Sequence, residues 1–491
     1  MKKIKLILSS IFVSSILLTS CTDELDKKPY TQLSREIAFE SMTDAQQWVN
    51  GMYGSLRGII YGKNMYATDV QADQLNATIE YGNREGEMHK WTPLQSDDYT
   101  IRDVWAGNYQ LIANINVAIN GIEKYQTDNE KEKAELKRML GELHAGRAYA
   151  FHQLVRKYAK PYKAATAEKD LGIPILTEFD IKALPPRSSL KDTYEKILSD
   201  IEIAKENLAE TTSAPMDKYF TIEFVNALEA RVKLFKEDWA GAKTAAEKVI
   251  NSNKFSLAQG KEGLESMFVH DNSPEIIFQC KVSAPDELAS TNGVYLGFQG
   301  DTKKYTPDFI PTQAIVDLYA DQDARKSVYF KEVTATLGGS DYQIKVVNKF
   351  PGNPVLFTAA NTNYQQAPKA FRLAEMYLIA AEASIKSGGD AAKYLTALRK
   401  ARGLDAGGTS LEDLKNERTR ELAFEGFRLD DLKRWGDPIE RKNPQNLECI
   451  MKNPASDYYG LKKKSDDYKA VWALPSHDIT TNNKLVQNSG W

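Results

Sequence analysis

Two stretches with apolar residues at helical spacing, near Thr221–Lys236 and Trp239–Asn251, are separated only by a very short turn around Asp238. So short a connection forces the two predicted helices to run antiparallel and side by side. Ala227, Ala230, Leu234 and Phe235 mark one face, and Trp239, Ala242, Ala246 and Val249 mark the facing one. Small side chains at these positions let the two axes approach closely. A chain built around such a pair must bury helix against helix.

The same period recurs elsewhere. It predicts helices near Thr43–Arg57, Ile101–Tyr125, Glu132–Lys160, Leu190–Leu208, Phe371–Lys386, Ala391–Arg402 and Leu411–Trp435. Between them lie two long irregular regions. Ile60–Thr100 holds Gly, Asn, Asp and Pro among Tyr61, Tyr66, Tyr81, Trp91 and Tyr99, and Phe255–Pro368 mixes Gly, Asn and Tyr with two candidate strands, Glu275–Gln279 and Tyr342–Phe350. Irregular stretches of this length inside a domain are uncommon and often functional. The tail Val471–Trp491 reads as extended. The hairpin resembles a tetratricopeptide-type unit, although no strict repeat period is present. The expected class is mainly α, with tetratricopeptide-like hairpins as scaffold and a loop-rich region carrying a few short strands.

The first twenty residues combine Lys2, Lys3 and Lys5 with an apolar run from Ile4 to Leu18, the pattern of a secretory signal. Leu18-Thr19-Ser20-Cys21 resembles the lipobox of bacterial lipoproteins, in which the cysteine becomes the acylated N-terminus. Several acyl chains at about 0.8 kcal/mol per buried methylene make a persistent anchor. Losing the three lysines of residues 1–20 leaves 61 basic against 67 acidic side chains, a net charge of −6. That balance, with no Lys/Arg cluster, argues against a nucleic-acid binder. Cys280 and Cys449 are read as separately buried thiols, with one bridge between them left open.

Catalytic motifs are absent: no phosphate-binding loop, nucleophile elbow or zinc helix occurs. His144 and His152 stand about 80° out of phase on a predicted helix, a poor chelating arrangement. Binding is better served. Aromatic faces, with Asp, Asn, Arg and Gln beside them, suit a partly apolar, partly hydroxylated ligand. Trp91 is the leading candidate, because it lies between Lys90 and Thr92 in a polar loop with no predicted helical core to join. Tyr81 with Asn83 and Arg84, and Tyr295 and Tyr305 from the second irregular region, follow. Trp105 and Tyr109 sit on a periodic helix and read as core.

Three blocks carry a family resemblance. They are Phe371-Arg372-Leu373-Ala374-Glu375-Met376-Tyr377-Leu378 and its continuation to Ala383, Asn416–Gly436 with its Arg-Glu-Leu-Ala-Phe-Glu-Gly core, and the ending Leu485-Val486-Gln487-Asn488-Ser489-Gly490-Trp491. With Gly172-Ile173-Pro174-Ile175, Trp105, Tyr109 and Asn114, they resemble the SusD/RagB family of outer-membrane nutrient-binding lipoproteins. The resemblance implies a signal peptide over 1–20, a SusD-like N-terminal region over 21–270, and a SusD/RagB C-terminal region over 271–491 that forms one unit with it. It implies a surface lipoprotein, not an enzyme, that binds oligosaccharides or polysaccharides and delivers them to a SusC-type TonB-dependent porin. A peptide ligand or a surface glycoside hydrolase are the alternatives. It adds Asp73 and Arg372 as possible ligand contacts. It implies no cofactor, and a structural calcium ion is left open. Arg418/Glu421 and Glu425/Arg428 are spaced to pair along one helix.

Overall fold

The protein is described by a computed structural model over residues 39–208, 219–283, 292–357 and 364–491. The signal segment and Cys21 lie outside the described residues. The fold is mainly α-helical with a few short strands. Helices run over Met42–Ile60, Tyr99–Lys124, Glu130–Tyr158, Leu190–Leu208, Ile222–Phe235, Trp239–Ile250, Leu373–Lys386 and Ala392–Ala401, within a few residues of expectation. Their starts are chemically marked. The Ser41 hydroxyl accepts the Asp44 amide while Asp44 accepts the Ser41 amide, and Thr221 accepts the Phe224 amide at 3.3 Å.

The hairpin forms as the short connection requires. Glu237 adopts φ 62° in the turn, and Asp238 accepts the Gly241 amide to open the second helix. Ala227, Ala230, Ala242 and Ala246 are fully buried between the helices. Leu373–Lys386 packs against both members of the pair, and Glu130–Tyr158 lies along Leu190–Leu208. These helices share one large apolar core.

The irregular regions are more ordered than their sequence suggests. Ile60–Thr100 contains helices Lys63–Gln71 and Gly86–Lys90 and a strand, Leu75–Ala77, paired antiparallel with Phe309–Pro311. In the second region Phe330–Leu337 and Ser340–Val347 form a hairpin, extended by Lys304–Tyr305 and Phe298–Gln299 into a four-stranded sheet. Ile276–Gln279 pairs with Lys369–Arg372. The C-terminal tail is not wholly extended, since Ser476–Thr481 is a helix.

The expected long helix over Leu411–Trp435 is two helices, Leu411–Glu421 and Arg428–Trp435. Between them Phe424 (φ 64°) and Gly426 (φ 77°) reverse the backbone. A Cβ at Gly426 would come within 2.7 Å of the Met65 carbonyl. This break rewrites the expected pairs. Arg418 bonds Asp431 at 2.7 Å, and Arg428 holds Asp73 through two 2.8 Å bonds. Glu421 meets Arg325, Arg372 and Arg402 at 2.8–2.9 Å. Glu425 takes Arg372 and Lys349 at 2.6 Å, and Glu275 takes Arg372 at 2.7 Å and Arg402 at 2.9 Å. Burial alone would raise the Glu421 carboxyl, but Arg402 and Arg372 outweigh it and hold it well below the usual range. Orphaning one member of such a buried pair costs about 3–5 kcal/mol, so the cluster locks these segments together.

Cys280 and Cys449 are free, buried thiols in separate clusters, and burial pushes them up to about 12 and about 11. His144 bonds Asp200 at 2.8 Å beside Arg147, while His152 is enclosed near Tyr194 and Phe235.

Candidate ligand groove

An open groove of about 680 Å³ lies where three loop-bearing segments meet. Lys63 and Tyr66 enter from the helix Lys63–Gln71, Arg84 and Glu85 from the turn that follows Leu75–Ala77, and Tyr99 from the start of Tyr99–Lys124; Gly293, Val294 and Tyr364 close the far side.

Local sequence explains each placement. Asp98 caps the Tyr99 helix, accepting the Thr100 amide at 2.7 Å. Tyr99 therefore occupies the first helical position, off the apolar stripe led by Ile101 and Val104, and its ring stays 39% exposed. The turn 82–85 is drawn tight by Gly82, Asn83 and Glu85, all with φ between 51° and 58°. Gly86 follows it, and a Cβ there would lie 2.2 Å from Asn83 Oδ1 and 2.8 Å from Tyr81 Cε2, so a larger residue would have to displace both side chains. The Glu85 amide donates to the Tyr99 hydroxyl at 3.0 Å, joining turn to helix.

Beneath the surface, Glu85 is buried. Thr100 and Tyr66 donate to its carboxylate, which burial raises above its ordinary range while the Thr100 bond and Lys63 oppose that rise. Above it, the Lys63 ammonium sits 4.4 Å from the Tyr99 ring centroid and pairs with Asp103 at 2.8 Å. Arg84 pairs through one nitrogen with Asp308 at 2.6 Å. The Phe298 amide donates to the Tyr364 hydroxyl at 2.6 Å, tying the far wall to the four-stranded sheet.

The residues singled out from sequence separate sharply. Arg84 lines the groove. Tyr81 stands next to it, its hydroxyl 3.3 Å from Asn83 Oδ1 and its ring against Phe309. Tyr305 lies on the four-stranded sheet, its ring tilted against Phe298 at 5.1 Å and its hydroxyl bonded to Lys331.

The others are corrected by the structure. Trp91 is fully buried: its indole N–H donates to the Gln71 carbonyl at 2.8 Å, and it packs among Leu429, Leu432, Ile439 and Leu461. Tyr295 is likewise fully buried and supports the groove wall from inside. Asp73 is taken by Arg428, and Arg372 is consumed by the ionic cluster, so neither offers free polar atoms to a ligand. Tyr99, Tyr364 and Lys63 were missed. For Tyr99 a signal existed, because an aromatic just after an Asp cap and out of phase with the helical stripe is left facing water. Among the described residues no group of His, Cys, Asp and Glu converges as a metal site needs, and no helix is long and apolar enough to cross a membrane.

The site is a helical scaffold beneath a loop-built groove with an aromatic wall. Comparison with known proteins gives the protein's kind. A family model described as the SusD family matches residues 337–491, and one described as starch-binding and associating with the outer membrane matches residues 23–234. A SusD-like protein of Formosa agariphila is 25% identical, with 97% of each chain covered. A SusD superfamily structure from Bacteroides thetaiotaomicron superimposes with a TM-score of 0.79 at 25% identity, covering 91% of this chain and 99% of that one. The structure of a putative sugar-binding protein from Bacteroides vulgatus gives a TM-score of 0.76 at 23% identity, covering 92% of this chain and 99% of that one, and shares the fold. The chain belongs to the SusD/RagB family.

Proposed function

We propose that this protein is a surface lipoprotein that captures oligosaccharides in the Tyr99 groove and passes them to a SusC-type TonB-dependent porin. The observation that carries the reading is the exposed Tyr99 ring, flanked by the hydrogen-bonding groups of Lys63 and Arg84 in a groove of about 680 Å³. A pyranose laid on the ring buries its C–H face and turns its edge toward those groups. The family model described as starch-binding and outer-membrane-associated supports the same class of ligand and location. Acylation at Cys21 would supply the membrane attachment.

Retention without cleavage fits the groove. Glycoside hydrolysis needs two carboxyl groups flanking the bond. Of the described lining residues only Glu85 carries one, and it is buried and engaged. On the helical side, Phe179, Ile181 and Leu184 are exposed within one segment, with Ile181 at 83%, a surface suited to a protein partner such as the porin.

The test is calorimetric titration of the full-length protein with an oligosaccharide panel, repeated with Tyr99→Ala. Saturable binding near micromolar Kd, about −8 kcal/mol, should weaken about tenfold or more in the variant at unchanged melting temperature. Saturation by peptides alone, or turnover of a glycan, would overturn the reading.

A further inference from the structure

We propose, resting on the carbohydrate reading of the same groove, that its ligands are acidic oligosaccharides whose carboxylate or sulfate groups are gripped by Arg84 and Lys63 while a sugar face rests on Tyr99. Three charged side chains line the described groove: Lys63, Arg84 and Glu85. The Glu85 carboxylate is turned inward, bonded by Thr100 and Tyr66. Both charges presented to solvent are therefore cationic.

The carboxylates that balance them do not line the groove. Asp308 is 6% exposed and touches only one terminal nitrogen of Arg84. The Arg84 side chain remains 52% exposed, and among the described residues no bond engages its Nε or second terminal nitrogen. A guanidinium offers five donors in a planar fork that matches an oxyanion with two oxygens. Gly293 leaves space for it, since a Cβ there would already lie 3.2 Å from the bonded nitrogen. Lys63 and Asp103 are both partly exposed, at 34% and 39%. An exposed pair of that kind contributes only about 0–1 kcal/mol, so a ligand anion exchanges for Asp103 at small cost.

The groove is also biased toward donors. Glu85 is occupied, the Tyr99 hydroxyl already accepts the Glu85 amide, and the Tyr364 hydroxyl accepts the Phe298 amide. Lys63 and Arg84 can only donate. Each hydroxyl of a neutral sugar carries one donor beside its acceptor sites, and those donors would be poorly matched here. An anionic substituent only accepts.

The experiment titrates the full-length protein with three oligosaccharide sets of equal length: oligogalacturonides, sulfated galacto-oligosaccharides and malto-oligosaccharides. It is run at low and high salt, then with Arg84→Gln and Lys63→Gln, each checked for an unchanged melting temperature. Expected are binding of at least one acidic set, weakening with salt, and about tenfold loss in each variant; which acidic set binds separates carboxylate from sulfate. Should Arg84→Gln fail to fold, Lys63→Gln carries the same reading. Malto-oligosaccharides binding as tightly as the acidic sets, or acidic ligands binding both variants at full strength, would overturn the charge assignment and leave the glycan reading standing. Silence toward all three sets would overturn the glycan reading itself.

Discussion

Arg84 and Asp308 lie 224 residues apart in the chain and 2.6 Å apart in the fold. Their contact pins the turn that carries Arg84 to the strand segment opposite. Burial pushes the Asp308 carboxyl up to about 7, with Arg84 opposing the rise. The folded protein therefore holds a proton that the unfolded chain has released between about pH 4 and pH 7. For a carboxyl raised on folding, this lowers stability as pH climbs through that window. Asp308→Asn should flatten this part of the stability profile in chemical denaturation at pH 5, 6 and 7; an unaltered slope would remove Asp308 as its source.

Removing one anion from the buried cluster strands its cations. Glu421→Gln should destabilise the fold by about 3–5 kcal/mol, visible as a shifted denaturation midpoint. A change under 1 kcal/mol would mean that neighbouring carboxylates re-pair with Arg325, Arg372 and Arg402.

Acid should attack the same cluster, which Glu417 joins through Arg325 at 2.7 Å. Burial alone would raise Glu417, but Arg325 and Arg420 bring it down to about 2; Glu421 and Glu425 are also lowered. Carboxyls lowered on folding contribute stability that is complete above about pH 4.5 and is lost as pH falls through the folded values. Stability measured from pH 5 to pH 2 should fall steadily. A flat profile there would contradict the depressed values.

Trp91→Ala should reduce stability by about 3–5 kcal/mol, as expected for an emptied aromatic site in a core, while the folded fraction keeps its ligand affinity. Calorimetry and thermal melts on one preparation separate the two effects. Lost affinity with an unchanged melting temperature would return Trp91 to the ligand surface.

Gly86→Ala should loosen the Arg84 turn through the clash with Asn83 and Tyr81. The expected cost is about 1–3 kcal/mol in stability, together with weaker ligand binding. A variant equal to wild type in both would show that the turn is not held by this contact.

What could be read from the chain followed the range of the forces involved. The hairpin around Asp238 was legible because its period, caps and turn are all local. The strands Leu75–Ala77 and Phe309–Pro311 were not, because each has three residues and a partner more than 200 residues away, whereas the candidate strands Glu275–Gln279 and Tyr342–Phe350 do form, over Ile276–Gln279 and Ser340–Val347. Trp91 was misread for the same reason: Lys90 and Thr92 look like a polar loop, whereas Leu429, Ile439 and Leu461 bury it. Glu421 has Arg418 within helical reach, yet its partners come from positions 325, 372 and 402. Arg84 lies on a local turn that the sequence announces, whereas the placement of Tyr364 in the groove wall depends on its contact with Phe298 in a sheet strand that no nearby residue announces.

The ionic cluster draws its members from residues 275, 323, 325, 349, 372, 402, 417, 421 and 425. A growing polypeptide that stops short of residue 417 would hold Arg325, Arg372 and Arg402 against only Asp323 and Glu275. The C-terminal half therefore depends on its final segment for charge balance, and a chain cut before that segment would be left with excess positive charge to bury.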